Sequence, residues 1–158
     1  MLPSQTAEEQ IQTVTSTPME AISIDLGKQA GVHYLIGADR YSGWPFVTKL
    51  SSLVTQTITS SLDDWFLEHG RPQRIRSDGG SQFRTEFDEW CKSRNIIHEK
   101  SSAYHHESNG HAEVAVREMK HLLEKTGSWK NFQHALLEWR NTPRQHDKLS
   151  PAQYFLGR

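Results

Sequence analysis

Three carboxylates carry the clearest chemical signal in this chain. Asp25 sits in AISIDLG, inside an alternating apolar run. Asp78 ends RIRSD and is followed by Gly79-Gly80. Glu113 closes YHHESNGHAE and opens a segment with an apolar helical stripe. Each has a plainer reading on its own. Asp25 fits the exposed face of a meander, Asp78-Gly79 is a common turn pair, and Glu113 with Arg117 is an ordinary i,i+4 ion pair. Together they say more, because clustered carboxylates repel one another unless a cation sits among them. Oxygen-only ligands suit Mg²⁺ or Mn²⁺. Two such ions can activate an attacking oxygen and stabilise a leaving one during displacement at phosphorus. Arg117 and Lys120 follow Glu113 at i+4 and i+7. They share one flank of a helix, where they would hold a phosphate backbone beside the metals.

The elements that must bring these groups together can be read from the pattern. In AISIDLG, Ile22, Ile24 and Leu26 alternate with Ala21, Ser23 and Asp25, which predicts a strand with Asp25 on the face opposite the isoleucines. Asp is disfavoured inside strands and so needs a reason to be there. VHYLIGAD and FVTKL complete a three-strand antiparallel meander. A helix follows, with Ser51 or Ser52 as its cap, with Val54, Ile58, Leu62, Trp65 and Phe66 on one face, and with Gly70 and Pro72 at its end. RIRSD is a fourth strand reached through that helix, and such a crossover predicts parallel pairing with an earlier strand. If that strand is the first, Asp25 and Asp78 lie side by side. A second helix carries Phe83, Phe87, Trp90, Cys91 and Arg94, and NIIHE is a fifth strand. A third helix starts near Ser108, with Ala112, Ala115, Val116, Met119, Leu122 and Leu123 as its stripe. A fourth is capped by Ser128 and ended by Pro143, and SPAQ is a capping box that opens a last short helix. The order β-β-β-α-β-α-β-α-α-α predicts an α/β fold, a five-stranded mixed sheet flanked by helices.

Bulk properties set limits. The 158 residues fit one domain, with residues 1–17 expected as a polar linker or disordered arm and 18–158 as the core. No apolar run is long enough to span a membrane. Cys91 is the single cysteine, so no internal disulfide forms, and its place in an apolar stripe reads as a core residue. The net charge of −1 and pI of about 6.8 lack the basic excess of free-standing nucleic-acid binders, so any DNA role rests on local groups. Nine histidines are present, but without cysteine partners or paired spacing they give no zinc pattern.

The segments IDLG, HYLIGADRYSGWP, SDGGSQF, YHHESNGHAE and WRNTPRQHDKLSPAQYFLGR resemble, in order, the retroviral-type integrase catalytic core, closest in look to the Ty3/gypsy class of LTR retrotransposons. The resemblance runs from about Thr17 to Arg158. It implies a ribonuclease H-like fold and an Asp-Asp-Glu triad, carried here by Asp25, Asp78 and Glu113, with two Mg²⁺ or Mn²⁺ ions. Thirty-four residues separate Asp78 from Glu113, one fewer than the family's usual spacing. The resemblance further implies that Tyr104 and Asn109, in a catalytic loop, and Arg117 and Lys120, on a basic face, approach donor DNA. The family's usual Pro and Gln before Ser-Asn-Gly are replaced by His106 and Glu107.

The implied activity is metal-dependent DNA strand transfer and end processing, joining element DNA to target DNA. The implied partners are double-stranded DNA and a second copy of the chain, with Trp65, Trp129 and Trp139 as candidates for the dimer face, and the implied compartment is the nucleus. The alternative is a domesticated, integrase-derived host protein that keeps DNA or protein binding with little or no catalysis. His106, Glu107 and the near-neutral charge favour that alternative, and the intact triad opposes it.

Overall fold

The structure is a computed structural model that describes residues 15–100, 110–144 and 148–157. Five strands form one sheet: β1 (Ala21–Gln29), β2 (Val32–Asp39), β3 (Pro45–Leu50), β4 (Arg74–Ser77) and β5 (Ile97–Lys100). The sheet order is β3-β2-β1-β4-β5. The first three strands are an antiparallel meander. β4 pairs parallel with β1, and β5 parallel with β4. The helix α1 (Thr55–His69) makes the crossover from β3 to β4, and it does so because parallel neighbours cannot be joined by a tight hairpin. After β4 come a 3₁₀ turn (Ser81–Phe83), α2 (Thr85–Ser93), β5, then α3 (His111–Thr126), α4 (Trp129–Arg140) and α5 (Pro151–Leu156).

β1 lies at the centre of the sheet and is covered on both sides. Side chains of a strand alternate between faces. Ile22 and Ile24 enter a core with Leu35, Ile58, Leu62, Trp65, Ile75, Phe83 and Phe87. The opposite face carries Tyr34, Ile36 and Ala38, covered by Ala112, Ala115, Val116 and Met119 of α3 and by Phe132 and Leu136 of α4. Met119 and Phe132 are completely buried, and burial of such side chains contributes about 1.5–3 kcal/mol each. The apolar stripe read from the sequence therefore fixes which edge of α3 meets the sheet. It leaves Glu113 at the border of the stripe and Arg117 and Lys120 exposed.

Most element assignments hold, with local corrections. α1 begins at Thr55 with Val54 at its N-cap, not Ser51 or Ser52, and has no side-chain cap. Ser52 instead hydrogen-bonds the Thr57 hydroxyl at 2.7 Å. Gly70 ends α1 with φ 93, in the left-handed region. α3 begins at His111 with Gly110 at its N-cap, while the expected start near Ser108 falls outside the described residues. Ser128 caps α4 by accepting from Asn131 N at 3.1 Å. The SPAQ capping box forms as read, with Ser150 and Gln153 exchanging backbone hydrogen bonds. Trp65, considered for a dimer face, is a core residue: it stacks on Phe46 at 5.0 Å and donates to Thr48 Oγ1 at 2.8 Å. Trp129 and Trp139 are half-buried against the α3–α4 core.

Candidate active site

The parallel register places the two aspartates. Ala21 pairs with Arg74, Ile22 with Ile75 and Ser23 with Arg76. Continued two residues beyond the paired stretch, this register carries Asp25 toward Asp78, and both line one pocket. Asp25 lies on the α3 side of β1, with Ser23, as the alternation requires. Asp78 is the first residue past β4, where the chain leaves the sheet. Its Oδ1 accepts from Gly80 N at 3.0 Å, which turns the carboxylate back over the Asp-Gly-Gly loop. A Cβ on Gly80 would meet Asp78 Oδ1 at 3.1 Å, so the small residue is what allows this close fold.

α3 brings the third carboxylate. Glu113 lies in the first turn of the helix, where a negative charge is favoured by the helix dipole. Asp25, Asp78 and Glu113 all line one pocket of about 250 Å³, together with Ser23, Arg76, Ser77, Arg117 and Lys120. Of the seven residues singled out from the sequence, five thus share a pocket. Tyr104 and Asn109, and the variant residues His106 and Glu107, lie outside the described residues.

Each of two carboxylates is held by a cation of the chain itself. Lys120 Nζ donates to Asp25 Oδ2 at 2.6 Å, with both side chains partly exposed. Arg40 Nη1 donates to Glu113 Oε2 at 3.0 Å and to Ser23 Oγ at 2.9 Å, and Ser23 Oγ donates to the same Glu113 oxygen at 3.0 Å. The Arg40 side chain is 3% exposed and that of Glu113 is 35% exposed. Burial pushes the Arg40 guanidinium below its usual range, Glu113 and Glu99 pull it back up, and Arg76 pushes it down again. Arg40 follows Asp39, a fully buried carboxylate that accepts from Met19 N, Ser42 N and Ser42 Oγ at 2.6–2.9 Å. That network fixes the turn out of β2 and directs Arg40 inward.

Asp78 has support of another kind. Ser77 Oγ donates to the Asp78 carbonyl at 3.0 Å and lies 2.7 Å from His98 Nε2. His98 Nδ1 lies 2.5 Å from Asp88 Oδ1, and Lys100 Nζ donates to Asp88 Oδ2 at 3.3 Å. The hydrogen bond from His98, with help from Lys100, holds the Asp88 carboxyl below the usual range. The chain Asp88–His98–Ser77 therefore ties the end of β4 to β5 and α2 and anchors the backbone from which Asp78 projects. Sequence reasoning missed Arg40, Ser23, Ser77, His98 and Asp88. For Arg40 a signal existed, since it stands with Asp39 at the end of the apolar run LIGA of β2.

The donor chemistry at the pocket is all oxygen, which fits a hard divalent cation rather than zinc or copper. Among the described residues, one buried acceptor, Glu113 Oε1, has no hydrogen-bond partner, and a buried oxygen of this kind suits a bound cation. Among the described residues, no three His, Cys, Asp or Glu side chains stand close enough as placed to grip one ion.

No family model matches the chain. Two curated proteins are similar to it: an uncharacterized protein of Caenorhabditis elegans, 32% identical over 155 residues and 92% of this chain, and the Pro-Pol polyprotein of feline foamy virus, 34% identical over 136 residues and 80% of this chain. The chain spans 12% and 11% of their respective lengths. Among solved structures, the catalytic core domain of BIV integrase superposes with a TM-score of 0.72 at 16% identity, covering 88% of this chain and 95% of that one. The HTLV-2 integrase catalytic core domain in complex with magnesium, in its dimeric form, superposes with a TM-score of 0.67 at 20% identity, covering 90% and 98%. The five-stranded mixed sheet with its helices is the ribonuclease H-like arrangement of these cores. The chain shares the fold of the retroviral integrase catalytic cores.

Proposed function

We propose that the chain is the catalytic core of a divalent-metal-dependent DNA strand transferase, an integrase. The observation that carries this reading is the meeting of Asp25, Asp78 and Glu113 on one pocket with Arg76, Arg117 and Lys120 around it. Asp25, Asp78 and Glu113 would hold Mg²⁺ or Mn²⁺, two ions in all. When bound, the ions would activate an attacking oxygen and stabilise the leaving one in an in-line displacement at phosphorus. The chain's own residues do the rest. Arg117 and Lys120, one turn apart on the exposed flank of α3, hold the DNA phosphates and set the register of the scissile bond. Asp78, just past the end of β4, is kept at the sheet end by the Ser77–His98–Asp88 tie. Tyr104 and Asn109 are proposed as further DNA contacts. Double-stranded DNA and a second copy of the chain are the proposed partners, and the nucleus the proposed compartment. The similarity to an HTLV-2 integrase core that has a dimeric form supports the second partner.

One observation favours a second reading. An unused cluster of acids should cost stability through repulsion, yet Asp25 and Glu113 are neutralised by Lys120 and Arg40. The triad can therefore persist at low cost in a domesticated protein that binds DNA without cutting it. One experiment separates the two: joining of a labelled oligonucleotide duplex to plasmid DNA in Mn²⁺ or Mg²⁺, with Asp78→Asn as control. Metal-dependent joining lost in the control supports the transferase, and intact DNA binding without joining or cleavage supports the binding protein.

A further inference from the structure

Arg40 is a buried cation in contact with one proposed metal ligand, and nothing in the two-metal scheme requires it. Its Nη1 is shared between Glu113 Oε2 and Ser23 Oγ, and the Ser23 hydroxyl closes the triangle onto the same carboxylate oxygen. All the donors therefore fall on Oε2. The other oxygen, Oε1, is buried and without a partner among the described residues. Arg40 has nowhere else to go: its side chain is enclosed, its backbone N–H is bonded to the Ala21 carbonyl at 2.9 Å, and the preceding Asp39 is locked by Met19 and Ser42. Pulling Glu113 away would leave a buried guanidinium beside Arg76 with only Glu99 to offset it and without its hydrogen-bonded carboxylate, which is unfavourable.

We infer that Arg40 is a positioning residue that keeps Glu113 Oε2 for itself and offers only Oε1 to a cation, so that the site selects a small ion such as Mg²⁺ or Mn²⁺ over Ca²⁺. Mg²⁺ is held in a tight octahedron by few protein carboxylates, whereas Ca²⁺ takes more oxygens and readily accepts a bidentate carboxylate. A Glu113 limited to one oxygen removes a ligand that Ca²⁺ can use and Mg²⁺ does not need. This inference rests on the reading of the pocket as a divalent-metal site. It deepens that reading by naming what sets the choice of ion.

The test is a competition. Bound Mn²⁺ is followed by loss of its free-ion paramagnetic resonance signal, and Ca²⁺ is titrated in, for the wild-type chain and for Arg40→Met. Loss of Arg40 leaves only the displaceable Ser23 hydroxyl on the second oxygen, so the Ca²⁺-to-Mn²⁺ affinity ratio should rise by about tenfold. A general loss of stability would weaken both ions alike and leave the ratio alone. An unchanged ratio in a folded Arg40→Met chain that still binds Mn²⁺ overturns the inference by itself. A wild-type chain that binds no Mn²⁺ overturns the metal reading and the inference with it. Because Arg40→Met removes a buried ion-pair partner and can fail to fold, a second measurement uses the wild-type chain alone. In a Ca²⁺-soaked crystal, Glu113 should meet the ion through one oxygen while Arg40 keeps the other. A Glu113 that wraps the ion with both oxygens, its bond to Arg40 broken, contradicts the inference.

Discussion

Lys120 Nζ lies 2.6 Å from Asp25 Oδ2, across ninety-five positions of sequence. An ammonium group thus occupies one oxygen of a carboxylate proposed to hold a divalent ion. Under that proposal the two cations would compete for the oxygen, and a Lys120 displaced from Asp25 would stand on the exposed side of α3, where a DNA phosphate could take its charge.

The substitution Lys120→Ala separates the two roles. DNA binding should weaken for all sequences alike, and the slope of log affinity against log salt should fall by about 1, the loss of one phosphate contact. Mn²⁺ affinity should not fall, because the competitor for Asp25 is gone. Fluorescence anisotropy over a salt series, with Mn²⁺ titration in parallel, reads both. A weaker Mn²⁺ site in this variant would show that Lys120 supports the metal site and does not compete with it.

The tie behind Asp78 has a pH signature. The folded Asp88 carboxyl lies below its unfolded value of 3.8, chiefly through the His98 hydrogen bond. A depressed carboxyl contributes stability above the unfolded value, and that contribution is lost as pH falls through the folded one. Asp88→Asn should therefore lower the urea midpoint at pH 7 and flatten its fall below about pH 4. Denaturation at a series of pH values checks this. A variant with the same midpoint at pH 7 and the same acid slope as wild type would mean that Asp88 ties nothing down.

Gly37 marks where the sheet meets α1 most tightly. A Cβ there would lie 2.7 Å from Trp65 Cζ3 and 3.2 Å from the Ser23 carbonyl oxygen. Trp65 cannot easily yield, being stacked on Phe46 and bonded to Thr48. Gly37→Ala should destabilise by about 1–3 kcal/mol, seen as a lower urea midpoint with an unchanged slope. An unshifted midpoint would mean that the indole moves freely.

Cys91 lies on the buried face of α2, and burial raises its thiol pKa to about 12. At pH 8 it is fully protonated and unreactive, because the thiolate is the nucleophile. The folded chain should resist a thiol-reactive disulfide reagent and react with one equivalent when unfolded in urea. Rapid labelling of the folded chain would place Cys91 at the surface.

The fold was legible because its signals are local. Alternation marked β1, and Ser150 and Gln153 announced their own helix. Asp25 beside Asp78 followed once the α1 crossover was read as parallel. The cap of α1 was misread because a serine near a helix start has other partners, and Ser52 finds Thr57 instead. Arg40 was missed for a different reason. Its role depends on Glu113, seventy-three positions away, and in sequence a charged residue after a strand reads as a solvated turn. Likewise Ser77, His98 and Asp88 come from three elements and gain meaning only when β4, β5 and α2 meet. Trp65 carried an apolar aromatic signal that fits a core and an interface equally well, and only packing decides between them.

The central claim is that Asp25 and Asp78 form a divalent-metal site. The direct measurement is a crystal of the chain soaked in Mn²⁺, with anomalous diffraction used to locate the ion. The account predicts manganese between Asp25 and Asp78, with Lys120 displaced from Asp25. An intact Lys120–Asp25 pair and no manganese at the pocket, at a concentration that loads other carboxylate sites, would contradict it.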